Sequence, residues 1–243
     1  MLGLDLFCGG GGCTRGYLEG FDACDVPLEM VGVDKWPQPR YAGDHFVRAD
    51  VMKLLINEHF IRQFDFVHMS PPCQIFSPTR TFKNSKKHID LLTPALQIVK
   101  ERYSDMIWVT ENVVEAHPLF SRKHQILRLC GSSFPNHSAY DERRLLHRHR
   151  NFRLHNFTVP KLLCAHNGYK PKGVYGSLNS QHPGGGEIAE SFGEACKLMQ
   201  IDWMKWDELK EAIPPAYTKY VATEGMVRAV LERRAFSTDY AGA

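Results

Sequence analysis

The chain of 243 residues is 43% hydrophobic and 23% charged, a balance typical of a soluble globular protein with one sizeable domain and a small addition. No apolar stretch approaches the ~20 residues that cross a bilayer, and the first strand is predicted at the very start, without a secretory signal. We therefore expect a cytoplasmic protein that contacts no membrane. The net charge of +3 is only mildly basic, so any nucleic-acid binding must come from local clusters.

The seven cysteines are odd in number and irregularly spaced, which argues against a disulfide framework. Cys8 and Cys13 do not have the spacing of zinc ligands, and Cys164 with His166 lacks a second ligand pair. We therefore expect no bound metal.

The strand predicted at the start of the chain leads into four consecutive glycines, Gly9 to Gly12. Glycine lets the backbone turn tightly and approach a ligand, and the helix predicted from Cys13 would point its amino end at that ligand. A tight connection without a ligand is the alternative. A second apolar run over 28–33 ends at Asp34, about 20 residues past the loop, where nucleotide-binding folds hydrogen-bond ribose.

The next predicted elements are a short strand over 48–51, a helix over 52–60 and a buried strand over 66–69. Two prolines follow, and Cys73 comes directly after them. Because proline excludes helix before it, the thiol is expected on a stiff platform past the carboxyl end of a strand, where open α/β sheets bind ligands. A small buried apolar cysteine is the plainer alternative.

The segment 77–88 is polar and basic. Most runs of charge are solvated loops, but beside a nucleophile such a segment suits phosphate contacts. The candidates for these contacts are Ser77, Arg80, Lys83, Lys86 and Lys87.

A helix is predicted over 93–103 and a buried strand over 105–109, which leads to Glu111. The repeated alternation of strand and helix predicts a mostly parallel sheet with helices on both faces. Glu111 would then lie on the same rim as Cys73, where burial would raise its pKa and let it donate a proton. A solvated strand end is the alternative.

The basic segment 142–153 predicts a strand with Arg148, Arg150 and Phe152 on one face, suited to recognising anions or base edges. A solvated edge strand is the plainer alternative. The later segments predict a short helix over 206–212 that ends at two prolines, and a closing helix over 222–234.

Four motifs follow one another in an order that resembles the cytosine-C5 DNA methyltransferases. They are Asp5 to Gly12, Pro72-Cys73-Gln74, Glu111-Asn112-Val113 and Arg148-His149-Arg150, and the segment 213–220 resembles the last motif of that family. The compact layout is most similar to phage-type members. The resemblance implies a Rossmann-like S-adenosylmethionine-dependent methyltransferase fold that uses S-adenosyl-L-methionine, releases S-adenosyl-L-homocysteine and acts on double-stranded DNA.

The resemblance also implies an organisation and a setting. We expect a monomer without an obligate protein partner, in a bacterial or phage-infected cell. The expected parts are a catalytic and cofactor-binding domain over 1–153, a small irregular target-recognition lobe over 154–197, a C-terminal segment over 198–236 that returns to the first domain, and a disordered tail over 237–243.

In this family the thiolate that matches Cys73 adds to C6 of a flipped cytosine, so that C5 can attack the sulfonium methyl group. The resemblance implies that Glu111 protonates N3, that Arg150 contacts O2, and that Asn112 and Arg148 complete the catalytic wall. The short stretch left for reading DNA predicts a short or relaxed recognition site.

For the cofactor, the resemblance implies stacking of Phe7 near the adenine and approach of Gly9 and Gly11 to the methionine end. The family usually places its ribose acid at the position of Gly32, and Asp34 is the candidate here. The full set of expected cofactor residues is Asp5, Phe7, Cys8, Gly9, Gly11, Gly12, Asp34, Lys35, Asp50, Val51, Pro71 and Ala222.

Three other functions are compatible with parts of the pattern. An RNA cytosine methyltransferase would share the Pro-Pro-Cys-Gln and Glu-Asn-Val motifs. A degenerate relative would bind DNA or cofactor without turnover, although Cys73 and Glu111 argue against it. A nicotinamide-dependent Rossmann enzyme would need neither motif.

Overall fold

A computed structural model describes residues 1–76, 89–120, 123–134, 144–166, 170–178, 180 and 187–241. Within these ranges the strands are β1 (Leu2–Leu6), β2 (Glu29–Asp34), β3 (His45–Arg48), β4 (Phe66–Met69), β5 (Ile107–Asn112), β6 (Gln125–Leu129), β7 (Arg144–Leu146), β8 (Arg150–His155), β9 (Lys170–Gly173) and β10 (Glu187–Ile188).

The α-helices in the same ranges are α1 (Gly12–Asp22), α2 (Val51–Leu54), α3 (Glu58–Ile61), α4 (Leu92–Arg102), α5 (Phe192–Met199), α6 (Trp206–Leu209), α7 (Pro215–Val221) and α8 (Val227–Ala241). Short 3₁₀ helices cover Val114–Leu119 and Gly131–Ser133, and a π-helical turn covers Ala222–Met226. No helix in the described part of the chain is both long and apolar enough to cross a membrane.

The large sheet has the strand order β3-β2-β1-β4-β5-β8-β6. The first five strands are parallel, and β8 runs antiparallel to both β5 and β6. Every residue of β4 and β5 is buried, as expected of parallel strands covered on both faces. The prediction of a mostly parallel sheet is therefore confirmed.

Two hydrophobic cores cover the two faces of this sheet. Tyr17 and Phe21 of α1 pack with Tyr217 of α7 on one face. Val99 of α4 packs with Ile61 of α3 on the other. Helices thus lie on both faces, as the strand–helix alternation predicts.

Several element boundaries differ from the sequence prediction, and N-caps explain two of the differences. The third strand ends at Arg48, because the side chain of Asp50 accepts a hydrogen bond from the Met52 amide at 3.0 Å and starts α2. The helix predicted over 52–60 is divided, since Asn57 caps α3 in the same way. Pro215 starts α7 at its first turn, where proline needs no amide hydrogen, and the closing helix thus begins earlier than predicted.

The described part of the segment 142–153 contributes to two strands in different sheets. β7 joins β9 and β10 in a small three-stranded sheet, whereas β8 lies between β5 and β6 in the large one. The prediction of one continuous strand is therefore wrong, and Arg148 lies in the link between the two strands. The alternative of a solvated edge strand is wrong for β8, which has a neighbour on each side, whereas β7 lies at the edge of the small sheet.

The small sheet has its own core, in which Leu146 packs with Leu198 and Leu209. The lobe predicted over 154–197 thus draws on residues from both sides of that range, and β8 continues to His155 in the large sheet. The domain boundaries remain predictions. At the end of the chain, α8 continues to Ala241, where the sequence predicts a disordered tail from Ser237.

Close packing of α1 against α7 explains a row of glycines. A Cβ at Gly12 would lie 2.2 Å from the carbonyl oxygen of Ile213, and one at Gly20 would lie 2.5 Å from the Cβ of Ala222. Gly12 is therefore required for packing. Ala222 is buried about 12 Å along α1 from Gly12, at 1.5 Å per residue, which corrects its prediction as a cofactor contact.

Candidate active site

Four neighbouring parallel strands end at one edge of the large sheet. The glycine loop follows β1, Asp34 ends β2, Cys73 follows β4, and Glu111 is the penultimate residue of β5. The structure thus brings together the groups that the strand ends place on one rim. The basic candidates Ser77, Arg80, Lys83, Lys86 and Lys87 lie outside the described residues.

The segment that carries Cys73 is fastened to the end of β5. The amide nitrogen of the Asn112 side chain donates to the carbonyl oxygen of Pro71 at 2.9 Å, and its oxygen accepts from the Val113 amide at 3.0 Å. Asn112 is itself buried, so these bonds are shielded from water. The half-buried Cys73 therefore has a fixed position relative to the strand that carries Glu111.

Glu111 and Arg150 form a buried ion pair. Glu111 is only 4% exposed, and Nε of Arg150 lies 3.1 Å from its Oε1. This pair does not have hydrogen-bond geometry, so Oε1 has no hydrogen-bond donor among the residues that the structure describes. Burial raises the pKa of Glu111, although Arg150 and Arg148 oppose this rise. Buried carboxyl oxygens normally have a hydrogen-bond partner, so an oxygen that lacks one is available to bond a polar group of a ligand.

The thiol belongs to the same electrostatic group. Burial raises the pKa of Cys73 above its ordinary value, the charge of Arg150 lowers it, and that of Glu111 raises it further. The arginine is therefore the neighbour that favours the reactive thiolate.

A row of hydrogen-bonded side chains leads from the core to Glu111. The hydroxyl of Tyr17 lies 2.8 Å from Nδ1 of His68, and Nε2 of His68 lies 2.7 Å from Oγ of Ser70, which hydrogen-bonds the Glu111 carboxyl. Burial lowers the pKa of His68 to about 3, so the ring is neutral. Sequence reasoning missed His68, although a polar residue inside an apolar strand was a usable signal.

Arg148 is held by main-chain groups of distant segments. Its guanidinium donates to the carbonyl oxygens of Val174 at 2.9 Å and Lys210 at 2.8 Å, and its own carbonyl accepts from the Tyr217 hydroxyl at 2.6 Å. These contacts join the link between β7 and β8 to the small lobe and to the C-terminal segment, which gives Arg148 a positioning role. A direct role in chemistry remains a prediction.

The glycine loop has the backbone of a ligand site. Phe7, Gly9 and Gly11 have φ values of 60°, 49° and 81°, in the left-handed region that is strained for an aromatic residue. A Cβ at Gly9 would meet nothing within 4 Å, so the space above it is open. The Gly9 amide donates to Oδ2 of Asp34 at 3.1 Å, which ties the loop to the end of β2.

The candidate ribose acid also has an aromatic neighbour. Trp36 is 63% exposed, its amide donates to Oδ1 of Asp34 at 2.9 Å, and Nζ of Lys35 lies 5.4 Å from its ring centre. Sequence reasoning did not single out Trp36, whose exposed side chain follows the candidate ribose acid by two residues. Gly32 cannot carry the acid, because a Cβ there would lie 2.3 Å from the Tyr41 ring.

The remaining cofactor candidates have mixed positions. Asp50 is exposed beside Asp34, since the Ala49 amide donates to the Asp34 carbonyl at 3.0 Å. The side chains of Val51 and Cys8 are buried, so only their backbones are available to a ligand, and both residues remain predictions. The carbonyl of Pro71 is used by Asn112.

Residues near the C terminus fasten the loops of this half, which the sequence did not predict. Nε1 of Trp203 donates to the carbonyl oxygen of Gly10 at 2.9 Å. Arg40 forms a two-pronged pair with Glu208, with N–O distances of 3.0 and 2.6 Å. The segment that carries α6 therefore holds both the glycine loop and the loop after β2.

Asp5 is a buried acid beside the glycine loop. It is 1% exposed, its Oδ2 accepts from the Thr14 hydroxyl at 2.7 Å, and its Oδ1 has no hydrogen-bond partner among the described residues. Burial raises the pKa of Asp5 to about 7, and the charges of Asp34 and Glu111 add to this rise. A positive charge next to Asp5 would favour the ionised form.

We expect Asp5→Asn to stabilise the ligand-free protein increasingly as the pH rises. An unfolded aspartate ionises near 3.9, whereas the folded group ionises at about 7, so folding loses stability between these values. Asparagine has no such penalty, and its advantage in unfolding free energy should grow by about 2 to 3 kcal/mol from about pH 5 to about pH 8. Urea denaturation at both pH values measures this, with the exposed Asp22→Asn as the control. Parallel changes in both variants would contradict the assignment.

Comparisons with known proteins place the fold. No family model matches the chain, and no curated protein matches it. A solved structure of a mutant DNMT2 from Spodoptera frugiperda superposes with a TM-score of 0.52 over 95% of this chain and 99% of that one, at 11% sequence identity. At this identity the likeness concerns the fold. The predicted fold class, a Rossmann-like S-adenosylmethionine-dependent methyltransferase fold, is confirmed.

Proposed function

We propose that this protein is an S-adenosylmethionine-dependent DNA cytosine-C5 methyltransferase that works through a covalent bond between Cys73 and C6 of the target base. The observation that carries the proposal is the buried carboxyl of Glu111, which has one oxygen without a donor and lies beside Arg150 and on the same rim as Cys73. This arrangement offers a nucleophile, a proton donor and a cation along one edge of the sheet.

The first step of the proposed reaction uses this group of side chains. The Cys73 thiolate forms a bond to C6 of cytosine, the electron pair of the C5–C6 double bond moves toward C5, and N3 receives a proton from Glu111. Arg150 stabilises the thiolate before attack and lies beside Glu111 as the carboxyl loses its proton. The base thereby becomes nucleophilic at C5.

The second step restores the enzyme. When bound, S-adenosylmethionine would supply an electrophilic methyl group to C5, and its sulfur would keep the electron pair of the broken S–CH3 bond and leave as the neutral thioether of S-adenosylhomocysteine. N3 returns its proton to the Glu111 carboxylate, a base removes the proton from C5, the electron pair re-forms the C5–C6 double bond, and Cys73 leaves as thiolate. Asn112 holds the segment that carries Cys73 at a constant distance from Glu111 during the reaction, because its side chain joins the carbonyl of Pro71 to the end of β5.

The residues at the neighbouring strand ends fit the proposed cofactor. Gly9 leaves open space above the loop, Trp36 exposes an aromatic face, and Asp34 has a carboxylate at the end of β2. The ionisable Asp5 beside the loop is complementary to the positive charges of the methionine moiety. Phe7 has a left-handed backbone in the same turn, which is the kind of strain found at ligand sites.

Duplex DNA as the substrate requires the cytosine to leave the stack, and the basic segment 77–88 is our candidate for holding the backbone. The small lobe leaves few residues for reading base edges. We therefore propose a short or relaxed recognition sequence, and a long strict consensus in bisulfite maps of treated plasmid would contradict it.

Incubation of the purified chain with labelled S-adenosylmethionine tests the function on three substrates: duplex DNA, single-stranded DNA and tRNA. We expect 5-methylcytosine in nucleosides from duplex DNA by mass spectrometry. Product from tRNA alone would replace DNA by RNA as the substrate. Cofactor binding without product on any of the three would support a binding protein that has lost turnover.

A further inference from the structure

Four side chains that commonly bind metals meet beside the catalytic arginines. They come from three segments, and one ligand atom from each lies within 4.8 Å of the others: Cys130, His149, Cys164 and His166. Neither the large core clusters nor the proposed reaction uses this group.

The sheet brings the first two residues together. β6 and β8 are antiparallel, and their last pair joins Leu129 with Arg150, so Cys130 and His149 occupy the next positions on adjacent strands. Cys130 is fully buried there. This half of the cluster is therefore fixed by main-chain pairing.

The second two residues come from the segment after β8. The hydroxyl of Ser133 donates to the carbonyl oxygen of Leu163 at 2.9 Å, which fastens that segment to the end of β6. Oγ of Ser132 lies 3.5 Å from Nε2 of His166. Cys164 and His166 are thus held against the pair supplied by the sheet.

The distances are close to those of a tetrahedral zinc site. Metal bonds of about 2.3 Å to sulfur and about 2.0 Å to nitrogen require ligand atoms roughly 3.3 to 3.8 Å apart. Sγ of Cys164 lies 3.4 Å from Nε2 of His149, within that interval. The widest separation of 4.8 Å requires closing by about 1 Å, which small rotations of a half-buried cysteine and an exposed histidine can supply.

We propose that Cys130, His149, Cys164 and His166 bind one structural zinc ion. Thiolate and imidazole are the ligands that zinc prefers, and a hard cation such as magnesium would need oxygen ligands that this set does not supply. Binding releases one proton from each thiol, so that two thiolates balance the charge of the ion. Four protein ligands fill the tetrahedron and leave no position for a reacting water.

The proposed ion would fix the arginine segment of the active site. His149 lies between Arg148 and Arg150, so its coordination ties this link to the end of β6 and to the segment after β8. The zinc is therefore a positioning element next to the site. This proposal replaces the expectation of no metal, which considered only ligands close together in the sequence.

Metal analysis of the whole 243-residue chain, purified without chelators, tests the site. We expect about one zinc ion per chain, and removal of zinc by a chelator should lower the melting temperature by roughly 5–15 °C, reversed by zinc chloride. Substitution of cobalt for zinc should give the visible absorption of a tetrahedral thiolate site. These readouts do not depend on methyl transfer, so they separate the metal site from the proposed function.

Two variants and their controls locate the ion. Cys164→Ser and His166→Ala should each lose most of the zinc and the chelator response, whereas Cys196→Ser and His59→Ala, remote from the cluster, should keep both. His166 is exposed, so its replacement leaves the core intact. Protein without zinc after incubation with zinc chloride, zinc retained by both variants, or a Cys130–Cys164 disulfide in freshly purified protein would overturn the proposal.

Discussion

Replacement of Cys73 by serine should lower the rate of methyl transfer by roughly 10³-fold or more. A serine hydroxyl is a far weaker acid than a thiol, and Arg150 stabilises an anion without accepting a proton. The alcohol therefore cannot add to C6 at a useful rate. Initial rates with labelled S-adenosylmethionine and duplex DNA measure the loss.

The same substitution has a second readout in covalent trapping. Fluorine at C5 cannot leave as a proton does, so DNA with 5-fluorocytosine should remain attached to the protein after methyl transfer. We expect the attached species with the unmodified protein and with the control Cys24→Ser, which changes a cysteine at the end of α1. Cys73→Ser should give none, although it should still bind the cofactor. Attachment through another residue, or full activity without Cys73, would refute the proposed reaction.

The rim of the active site was predictable because strand ends are local features. Apolar runs that stop at glycine, proline or acidic residues define where each strand ends, and a parallel sheet places those ends on one edge. Cys73, Glu111 and Asp34 were located in this way. The strand β4 was predicted with its observed bounds, Phe66–Met69, because two prolines fix its end.

Contacts between distant segments could not be predicted in the same way. Arg148 donates to carbonyl groups 26 and 62 residues away, so nothing in its own motif distinguishes a positioning role from a catalytic one. The pairing of Cys130 with His149 depends on the register of β6 and β8, which one sequence does not determine. Trp36 was missed for another reason, since only the structure shows that its ring is exposed beside Asp34.

Glu111→Gln should lower the rate constant for the first turnover by about 10²- to 10³-fold. Glutamine can still contact N3 of the base, but it cannot give the proton that neutralises the ring as Cys73 adds. Single-turnover rates on duplex DNA measure this effect without interference from product release. The control is Glu115→Gln, an exposed acid four residues later, which should leave the rate unchanged.

The pH profile distinguishes a lost proton donor from a merely disturbed pocket. Activity needs Cys73 ionised and Glu111 protonated, and the pKa of each group is raised above its ordinary value, 9.0 for the thiol and 4.5 for the carboxyl. Between the pKa of Glu111 and that of Cys73, a rise in pH increases the fraction of Cys73 that is ionised by the same factor by which it decreases the fraction of Glu111 that is protonated. The value of kcat/KM should therefore not change with pH in this range.

In Glu111→Gln only the thiol titrates, and kcat/KM should rise about tenfold per pH unit until the pH reaches the pKa of Cys73. Removal of the Glu111 carboxylate also lowers the pKa of Cys73, so kcat/KM should stop rising at a lower pH. The slope below that pH should be unaltered. A disturbed pocket would instead lower the whole profile and keep its flat shape. A flat profile in the variant would therefore assign Glu111 to positioning and remove it from proton transfer.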